Sequence, residues 1–322
     1  MRNAENKKRC LEKIFIDDLL SGSLKDLLVI IKTDPTLQLC FRGQYASVYY
    51  KGDSLFKIVP GHKFYKIHFD FNHSRYTSNF EELKGGLEKL GYKYSQGKGD
   101  DKKRSRKIDC KYPPERTNSD LATFWSESIK ILKLLIEDFL DLNKKQDFLK
   151  KEPKKGKSCH LERQRQQEIM HGNNSLGEGY FIYDIEYDQP RNSNEEPKSG
   201  RFDMLALRRV SKGCYNLVFV ELKSTTSACE GGSGIEKHYS DLKKYTGNND
   251  IVNIRKTDAV EICKQYGLLG LVEQESIQVK DVEILFIFTD EAVNYANKIK
   301  NKEEKCILSS EDLKLMHSKE TP

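Results

Sequence analysis

Three features that often reveal the class of a protein are missing from this 322-residue sequence. Its eight cysteines form no C-x-x-C pair and are scattered at positions 10, 40, 110, 159, 214, 229, 263 and 306. This scatter argues against a structural zinc site and favours reduced thiols. There is also no phosphate-binding loop of the G-x-x-x-x-G-K-[ST] type, so we do not expect the chain to hydrolyse nucleoside triphosphates.

Long apolar stretches are missing as well. No run approaches the roughly 18 consecutive apolar residues that a membrane helix needs, and no apolar signal core follows the basic start MRNAENKKRC. The hydrophobic content of 37% and the mean hydropathy of −0.70 are those of a rather polar protein. We therefore expect a soluble, cytoplasmic protein without a membrane partner.

The charge of the chain is unevenly distributed. The net charge of +6 combines +11 over residues 1–160 with −5 over residues 161–322. A basic half beside an acidic half is suited to contacting a polyanion, although lysine-rich surfaces also serve solubility alone. The length allows two modest domains. We predict a basic N-terminal α+β domain over 1–143 that senses or docks a partner or binds nucleic acid. A basic linker over 144–160, or alternatively a lid that closes over substrate, and an α/β domain over 161–322 follow it.

The first half of the chain predicts a mixture of helices and strands. The predicted helices are Leu11–Thr33 with a break at Ser21-Gly22-Ser23, Asn79–Leu90 and Ser119–Leu142, and the predicted strands are Cys40–Tyr50, Ser54–Val59 and Lys63–Phe71. In the last strand, basic residues alternate with aromatic ones, as in a nucleic-acid platform or, more simply, in the two faces of a small sheet.

A basic loop is predicted over Gly91–Asp120, since this stretch lacks periodicity and ends near Pro113-Pro114. Its positive charge predicts contacts with nucleic-acid phosphates. The predicted contact residues are Lys102, Lys103, Arg104, Arg106 and Lys107.

Three short apolar runs in the second half predict adjacent strands. They are Tyr180–Tyr187, Arg201–Arg209 and Asn216–Lys223, and polar breaks separate them. Helices are predicted before and after them at Leu161–Met170, Ile235–Tyr245, Thr257–Gly267, Asp290–Lys300 and Ser309–His317, with a further strand at Val282–Phe288.

Charged residues interrupt these strands at positions where a core would favour apolar ones. Asp203 lies early in the second run, and Glu221 and Lys223 end the third. Since residues i and i+2 of a strand share a face, Glu221 and Lys223 project together, and Asp203 can lie beside them if the two runs pair. An exposed hairpin with an ion pair between Glu221 and Lys223 would show the same sequence pattern. The apolar run Leu217–Val220, however, favours a central strand buried on both faces.

Two carboxylates and an ammonium group at one sheet edge predict a divalent-metal site. Mg²⁺ or Mn²⁺ takes oxygen ligands, with water and substrate phosphate completing its coordination. Such a metal lowers the pKa of bound water, and a neighbouring lysine can orient that water or stabilise negative charge.

The sequence Phe202-Asp203, followed after an interval by Glu221-Leu222-Lys223, resembles the core motif of the PD-(D/E)XK nuclease superfamily. The resemblance extends over about half of the chain, from Glu162 to Lys300, and Phe202 replaces the proline of the motif. It implies a restriction-endonuclease-like mixed sheet flanked by helices, in the order helix, three strands, helix, strand. Asp203 and Glu221 would hold metal, and Lys223 would act on the attacking water.

The resemblance also points to candidates outside the motif. A glutamate on the helix before the strands often joins the metal site, and Glu162 matches it; a solvent-exposed helix face explains Glu162 equally well. On the first strand, Asp184, Glu186 and Asp188 share one face, which an exposed edge strand would also explain. On the helix after Lys223, the candidates are His238 and Tyr245.

The sequence therefore predicts a Mg²⁺- or Mn²⁺-dependent endonuclease. The resemblance favours DNA over RNA. A nuclease with its own appended domain also looks similar to restriction or phage-defence effectors. It leaves a homodimer or an activating protein partner open. The alternatives are a non-enzymatic nucleic-acid-binding or assembly protein on the same fold, and an RNA-directed nuclease that needs an activator.

Overall fold

A computed structural model describes residues 8–70, 80–96, 106–113, 121–149, 158–177, 179–188, 201–231, 234–289, 292, 295 and 307–309. The chain forms two compact units. We call Leu11–Lys157 the N-terminal unit, and Met1–Cys10 together with Ser158–Pro322 the C-terminal unit. Of the described residues, 8–10 thus belong to the C-terminal unit, whereas the sequence prediction placed them in the N-terminal domain.

The N-terminal unit combines an antiparallel sheet with helices. Its helices are α1 (Lys13–Leu20), α2 (Lys25–Thr33), α3 (Phe80–Lys89) and α4 (Leu121–Leu149). Its strands are β1 (Leu37–Phe41), β2 (Ala46–Tyr50), β3 (Asp53–Pro60), β4 (Tyr65–Asp70), β5 (Lys93–Gln96) and β6 (Arg106–Tyr112). They form one six-stranded sheet in the order β1-β2-β3-β4-β6-β5.

Aromatic side chains join the helices to one face of this sheet. Trp125 of α4 is fully buried and contacts the rings of Phe56 on β3 and Tyr112 on β6. Tyr65 of β4 packs edge-on against Phe15 of α1 at 5.1 Å between ring centroids. The aromatic residues of β4 therefore face the core, which confirms the simpler interpretation of its alternation.

Two of the predictions for this unit are wrong. The predicted strand Cys40–Tyr50 is two strands, because the chain turns between them at Gly43, whose φ is 74°. The predicted loop Gly91–Asp120 contains β5 and β6, and β6 lies inside the sheet. Strand β5 is short and polar, whereas β6 alternates Ile108, Cys110 and Tyr112 with charged residues, a strand signal that the prediction missed.

The predicted linker is also partly helical, since α4 continues to Leu149. Lys102, Lys103 and Arg104 lie outside the residues that the structure describes. Arg106 and Lys107 belong to the backbone of β6, where Lys107 pairs with Ser95.

The C-terminal unit is a five-stranded mixed sheet with helices. Its helices are α5 (Ser158–Gly172), α6 (Ile235–Thr246) and α7 (Asn249–Leu268), and its strands are β7 (Tyr180–Asp188), β8 (Arg201–Ser211), β9 (Cys214–Lys223), β10 (Gln278–Phe288) and β11 (Ile307–Ser309). The strand order is β11-β10-β9-β8-β7; β8 is antiparallel to both of its neighbours, β7 and β9, and β10 and β11 continue parallel to β9.

The predicted succession of helix, three strands, helix and strand is present, and the α/β class is confirmed. The predicted helix Ser309–His317 starts in β11 instead, and its other residues lie outside the described part of the chain, as do most of Asp290–Lys300.

Strand β9 is the centre of this sheet. Every residue from Tyr215 to Lys223 is buried, including the predicted apolar run Leu217–Val220. Neighbouring strands cover both edges of β9, and Phe219 contacts the rings of Phe202 and Tyr245. A strand buried in this way tolerates a charged side chain only where another charged or polar group compensates it.

Residue Arg9 ties the start of the chain to this unit. Its guanidinium donates from Nε and Nη2 to Oδ2 of Asp184, at 3.0 and 2.7 Å, and its backbone N–H donates to Asp258. Arg255 also pairs with Asp258 at 2.9 Å. Burial raises the pKa of Asp258, and the charges of Arg255 and Arg9 partly offset that rise.

The Arg9 contact corrects one prediction about β7. Asp184 is only 1% exposed, so it does not belong to a solvent-exposed edge face, although β7 is the edge strand. The side chains of Glu186 and Asp188 lie outside the described part of the structure. Within the described residues, no helix has the length and apolar character needed to cross a membrane.

Candidate functional site

Strands β8 and β9 bring the predicted site residues to one edge of the sheet. The two strands are antiparallel, with Met204 opposite Val220, so the start of β8 lies beside the end of β9. Asp203 reaches across this edge and accepts a hydrogen bond from the backbone N–H of Leu222 at 2.7 Å. Asp203, Glu221 and Lys223 are therefore neighbours, as the sequence predicted.

Glu221 and Lys223 form a buried pair. Each residue is only 3% exposed, and 3.4 Å separates Nζ of Lys223 from Oε2 of Glu221. An exposed hairpin with a surface ion pair is thereby excluded. Burying two charged groups is costly, so such a pair is more typical of a functional site than of a stabilising contact.

His238 of α6 completes the contacts of Glu221. Its Nδ1 lies 2.7 Å from Oε2 of Glu221 and 3.3 Å from Nζ of Lys223. The carboxylate can only accept, so the shorter contact requires a proton on Nδ1, which donates it to Glu221. The Nδ1 atom then has no lone pair for Lys223. The side chain is 31% exposed.

Asp203 is a member of the site whose ionised form is disfavoured by its surroundings. Burial raises its pKa well above the usual range, and the negative charges of Glu221 and Glu162 raise it further. The Leu222 N–H and the positive charge of Lys223 lower this pKa, but they do not outweigh those effects. The carboxylates therefore lie close enough to oppose one another's ionisation, which is a common property of sites that bind cations.

Helix α5 contributes Gln166, which the sequence did not identify as a site residue. Its Nε2 donates to Oδ1 of Asp203 at 3.1 Å, whereas its buried Oε1 has no hydrogen-bond partner among the described residues. The sequence spacing could have identified it, because Gln166 lies four residues after Glu162 and shares its helix face. Glu162 influences Asp203 by its charge, so α5 brings both residues towards the site.

These oxygen atoms fit a hard divalent cation by their chemistry. Two neighbouring carboxylates and an unsatisfied amide oxygen are the ligand types that Mg²⁺ and Mn²⁺ accept. Across the described ranges, however, no three His, Cys, Asp or Glu side chains are grouped as a ready metal site. The protein would thus supply only part of the ligands, as is usual for Mg²⁺, and water or substrate would supply the rest.

Of the two candidates on α6, only His238 reaches the site. Tyr245 is fully buried, and its ring packs 4.7 Å from that of Phe202. It therefore belongs to the core between α6 and the sheet. Comparison of the chain with models of protein families, with curated proteins and with solved structures finds no match.

Proposed function

We propose that the C-terminal unit is a metal-dependent nuclease that hydrolyses phosphodiester bonds. The observation that carries this proposal is the buried Glu221–Lys223 pair beside Asp203, whose carboxylate is destabilised by its acidic neighbours. The order of helices and strands, which agrees with that of the PD-(D/E)XK superfamily, supports it. The proposed fold is accordingly restriction-endonuclease-like, and the proposed substrate is DNA.

Asp203 and Glu221 would hold Mg²⁺ or Mn²⁺, with Glu162 contributing charge and Gln166 holding Asp203 in place. The ion supplies a more acidic water and offsets charge on the phosphate. Lys223, fixed by its contact with Glu221, presents an ammonium that orients the attacking water and stabilises the developing negative charge. His238 holds the Glu221 carboxylate through Nδ1–H, which sets its orientation towards the cation.

A cleavage panel tests this proposal. Supercoiled plasmid, linear duplex, single-stranded DNA and RNA are each incubated with Mg²⁺, Mn²⁺ or EDTA. Lys223→Ala is expected to lower metal-dependent cleavage by about 10²- to 10³-fold, because it removes the ammonium that orients the attacking water and stabilises the developing negative charge. Lys237→Ala removes an exposed lysine from α6 and serves as the matched control, with cleavage expected to equal that of the wild type. If Lys223→Ala cleaved as well as the wild type, the active site could not be the one formed by Asp203, Glu221 and Lys223.

Residue His238 gives a separate test through its contact with Glu221. His238→Ala is expected to lower kcat by about 10- to 100-fold, the usual effect of losing a group that orients a metal ligand. His238→Asn retains an N–H donor near the position of Nδ1 and is expected to recover most of kcat. Steady-state kinetics at saturating Mg²⁺ would check this order. Equal loss in both variants would show that Nε2, rather than Nδ1, is the nitrogen that matters.

A further inference from the structure

Strands β4, β5 and β6 of the N-terminal sheet leave one of their faces exposed, and the half-buried Lys57 of β3 borders it. Towards β1 and β2 the same face is buried, at Cys40 and Ser47. The other face carries Tyr65, Ile67 and Phe69 of β4, which are buried. It packs on α1 through Tyr65 and on α4 through Phe56 of β3, which contacts Trp125. The exposed face, which we call the open face, carries Lys57 at its border, and Lys66, His68, Lys93, Asp109 and Lys111. The strand register places these residues side by side, with Lys57 opposite His68, Lys66 opposite Lys111, and Asp109 opposite both His68 and Lys93.

The open face is strongly positive. Among its described side chains, four lysines face a single carboxylate. That carboxylate, Asp109, is already engaged by Nδ1 of His68 and lies 3.5 Å from Nζ of Lys66. The described side chains of the open face thus carry more positive than negative charge, which favours an anionic partner. Since these ammonium groups lie on several different strands, they form a broad surface rather than a pocket for one small anion.

Two half-exposed aromatic rings lie beside these lysines. Nζ of Lys111 lies 5.0 Å from the ring centroid of Phe64, and Nζ of Lys57 lies 5.9 Å from that of Tyr45. Both rings are only partly buried, and Tyr45 and Phe64 lie immediately before β2 and β4. Ammonium groups next to accessible rings offer phosphate contacts and base-stacking surfaces together, which is the combination that binds single strands.

We propose that the open face binds single-stranded nucleic acid. Phosphates contact Lys57, Lys66, Lys93 and Lys111, and unpaired bases stack on Phe64 and Tyr45. A duplex hides its bases within the stack, so it would contact the lysines without using the rings. The binding is independent of the chemistry at Asp203, because it needs neither the carboxylates nor a metal.

The test uses the full chain in EDTA, where metal-dependent cleavage does not interfere. Binding of a fluorescein-labelled oligothymidylate of about 12 nucleotides is followed by anisotropy over a range of salt concentrations. Each lysine–phosphate contact on a single strand contributes about 0.7 to the slope of log K against log salt. Lys57→Gln/Lys111→Gln is therefore expected to reduce that slope by about 1.4 and the affinity by about 25-fold at about 0.1 M salt.

The matched control is Lys13→Gln/Lys32→Gln, which removes the same charge from exposed positions on α1 and α2 of the same unit. It is expected to leave the slope unchanged. Phe64→Ala is expected to weaken binding about tenfold without changing the slope, since stacking releases no counterions. Equal effects of the two lysine pairs would overturn the proposal, as would a wild-type affinity for duplex DNA equal to that for the single strand. A thermal melt of each variant verifies folding.

Discussion

Replacing Asp203 by asparagine is expected to abolish cleavage and to make the protein more stable. Losing a carboxylate ligand costs several kcal/mol of transition-state stabilisation, which is at least about a hundredfold in rate. Stability should nevertheless rise by about 1–2 kcal/mol at pH 7. The amide that replaces the carboxylate does not oppose the charges of Glu221 and Glu162.

The pH dependence of this gain identifies its cause. Because the pKa of Asp203 is raised in the folded protein, the native state binds a proton that the unfolded chain has already lost. Wild-type stability therefore falls as pH rises from the unfolded pKa of about 3.9 through the higher folded pKa. The variant lacks this decline, so the difference in unfolding free energy should be near zero at low pH and should grow across that window.

Urea denaturation of both proteins at several pH values measures the difference. Asp281→Asn makes the same change at an exposed position on β10 and is expected to leave stability within about 0.5 kcal/mol. Added Mg²⁺ should raise the melting temperature of the wild type, since a bound cation offsets the repulsion, and should have little effect on Asp203→Asn. A variant less stable than the wild type at neutral pH would contradict the electrostatic account of the site.

Arg9→Met is expected to destabilise the C-terminal unit by about 3–5 kcal/mol. Removing the guanidinium leaves the buried carboxylate of Asp184 without the cation that contacts it at 2.7 Å. Adding Asp184→Asn should recover much of the loss, because the second change removes the buried charge. Lys13→Met, at a lysine with 87% side-chain exposure, should change stability by no more than about 0.5 kcal/mol.

The single tryptophan makes this prediction specific to one unit. Trp125 is buried in the N-terminal unit, so its fluorescence reports the unfolding of that unit, whereas circular dichroism reports both. Arg9→Met should shift the dichroism transition to lower urea and leave the fluorescence transition in place. Equal shifts by both probes would show that the two units unfold together and that the contact of Arg9 supports both.

Much of the candidate site follows from short-range sequence patterns. The apolar run Leu217–Val220 predicts the central strand, and the two-residue period of that strand places Glu221 and Lys223 together. Pairing with the preceding strand then brings in Asp203. These inferences need only residues that are adjacent in sequence or joined by a hairpin-type connection, and the structure bears out their positions.

Long-range contacts could not be predicted in the same way. No local pattern links Arg9 to Asp184 or Asp258, which lie 175 and 249 residues further along the chain. Asp184 therefore resembled an exposed acid on an edge strand. His238 was recognised as a candidate, but its partner Glu221 depends on how α6 packs against the sheet. Strand β5 escaped detection because a four-residue polar strand has too little alternation to indicate a strand. Strand β6 does alternate apolar and charged residues, and this local signal was missed.

The contacts of Arg9 also set the order in which a newly made chain can fold. Translation adds about 5–20 residues per second, so Asp258 leaves the ribosome on the order of tens of seconds after Arg9. All of the N-terminal unit is synthesised within that interval, before any strand of the C-terminal sheet exists. Strand β10, which flanks the strand of Glu221 and Lys223, is made later still. We therefore expect activity at Asp203 to arise only near the end of synthesis, after the N-terminal unit has had time to fold.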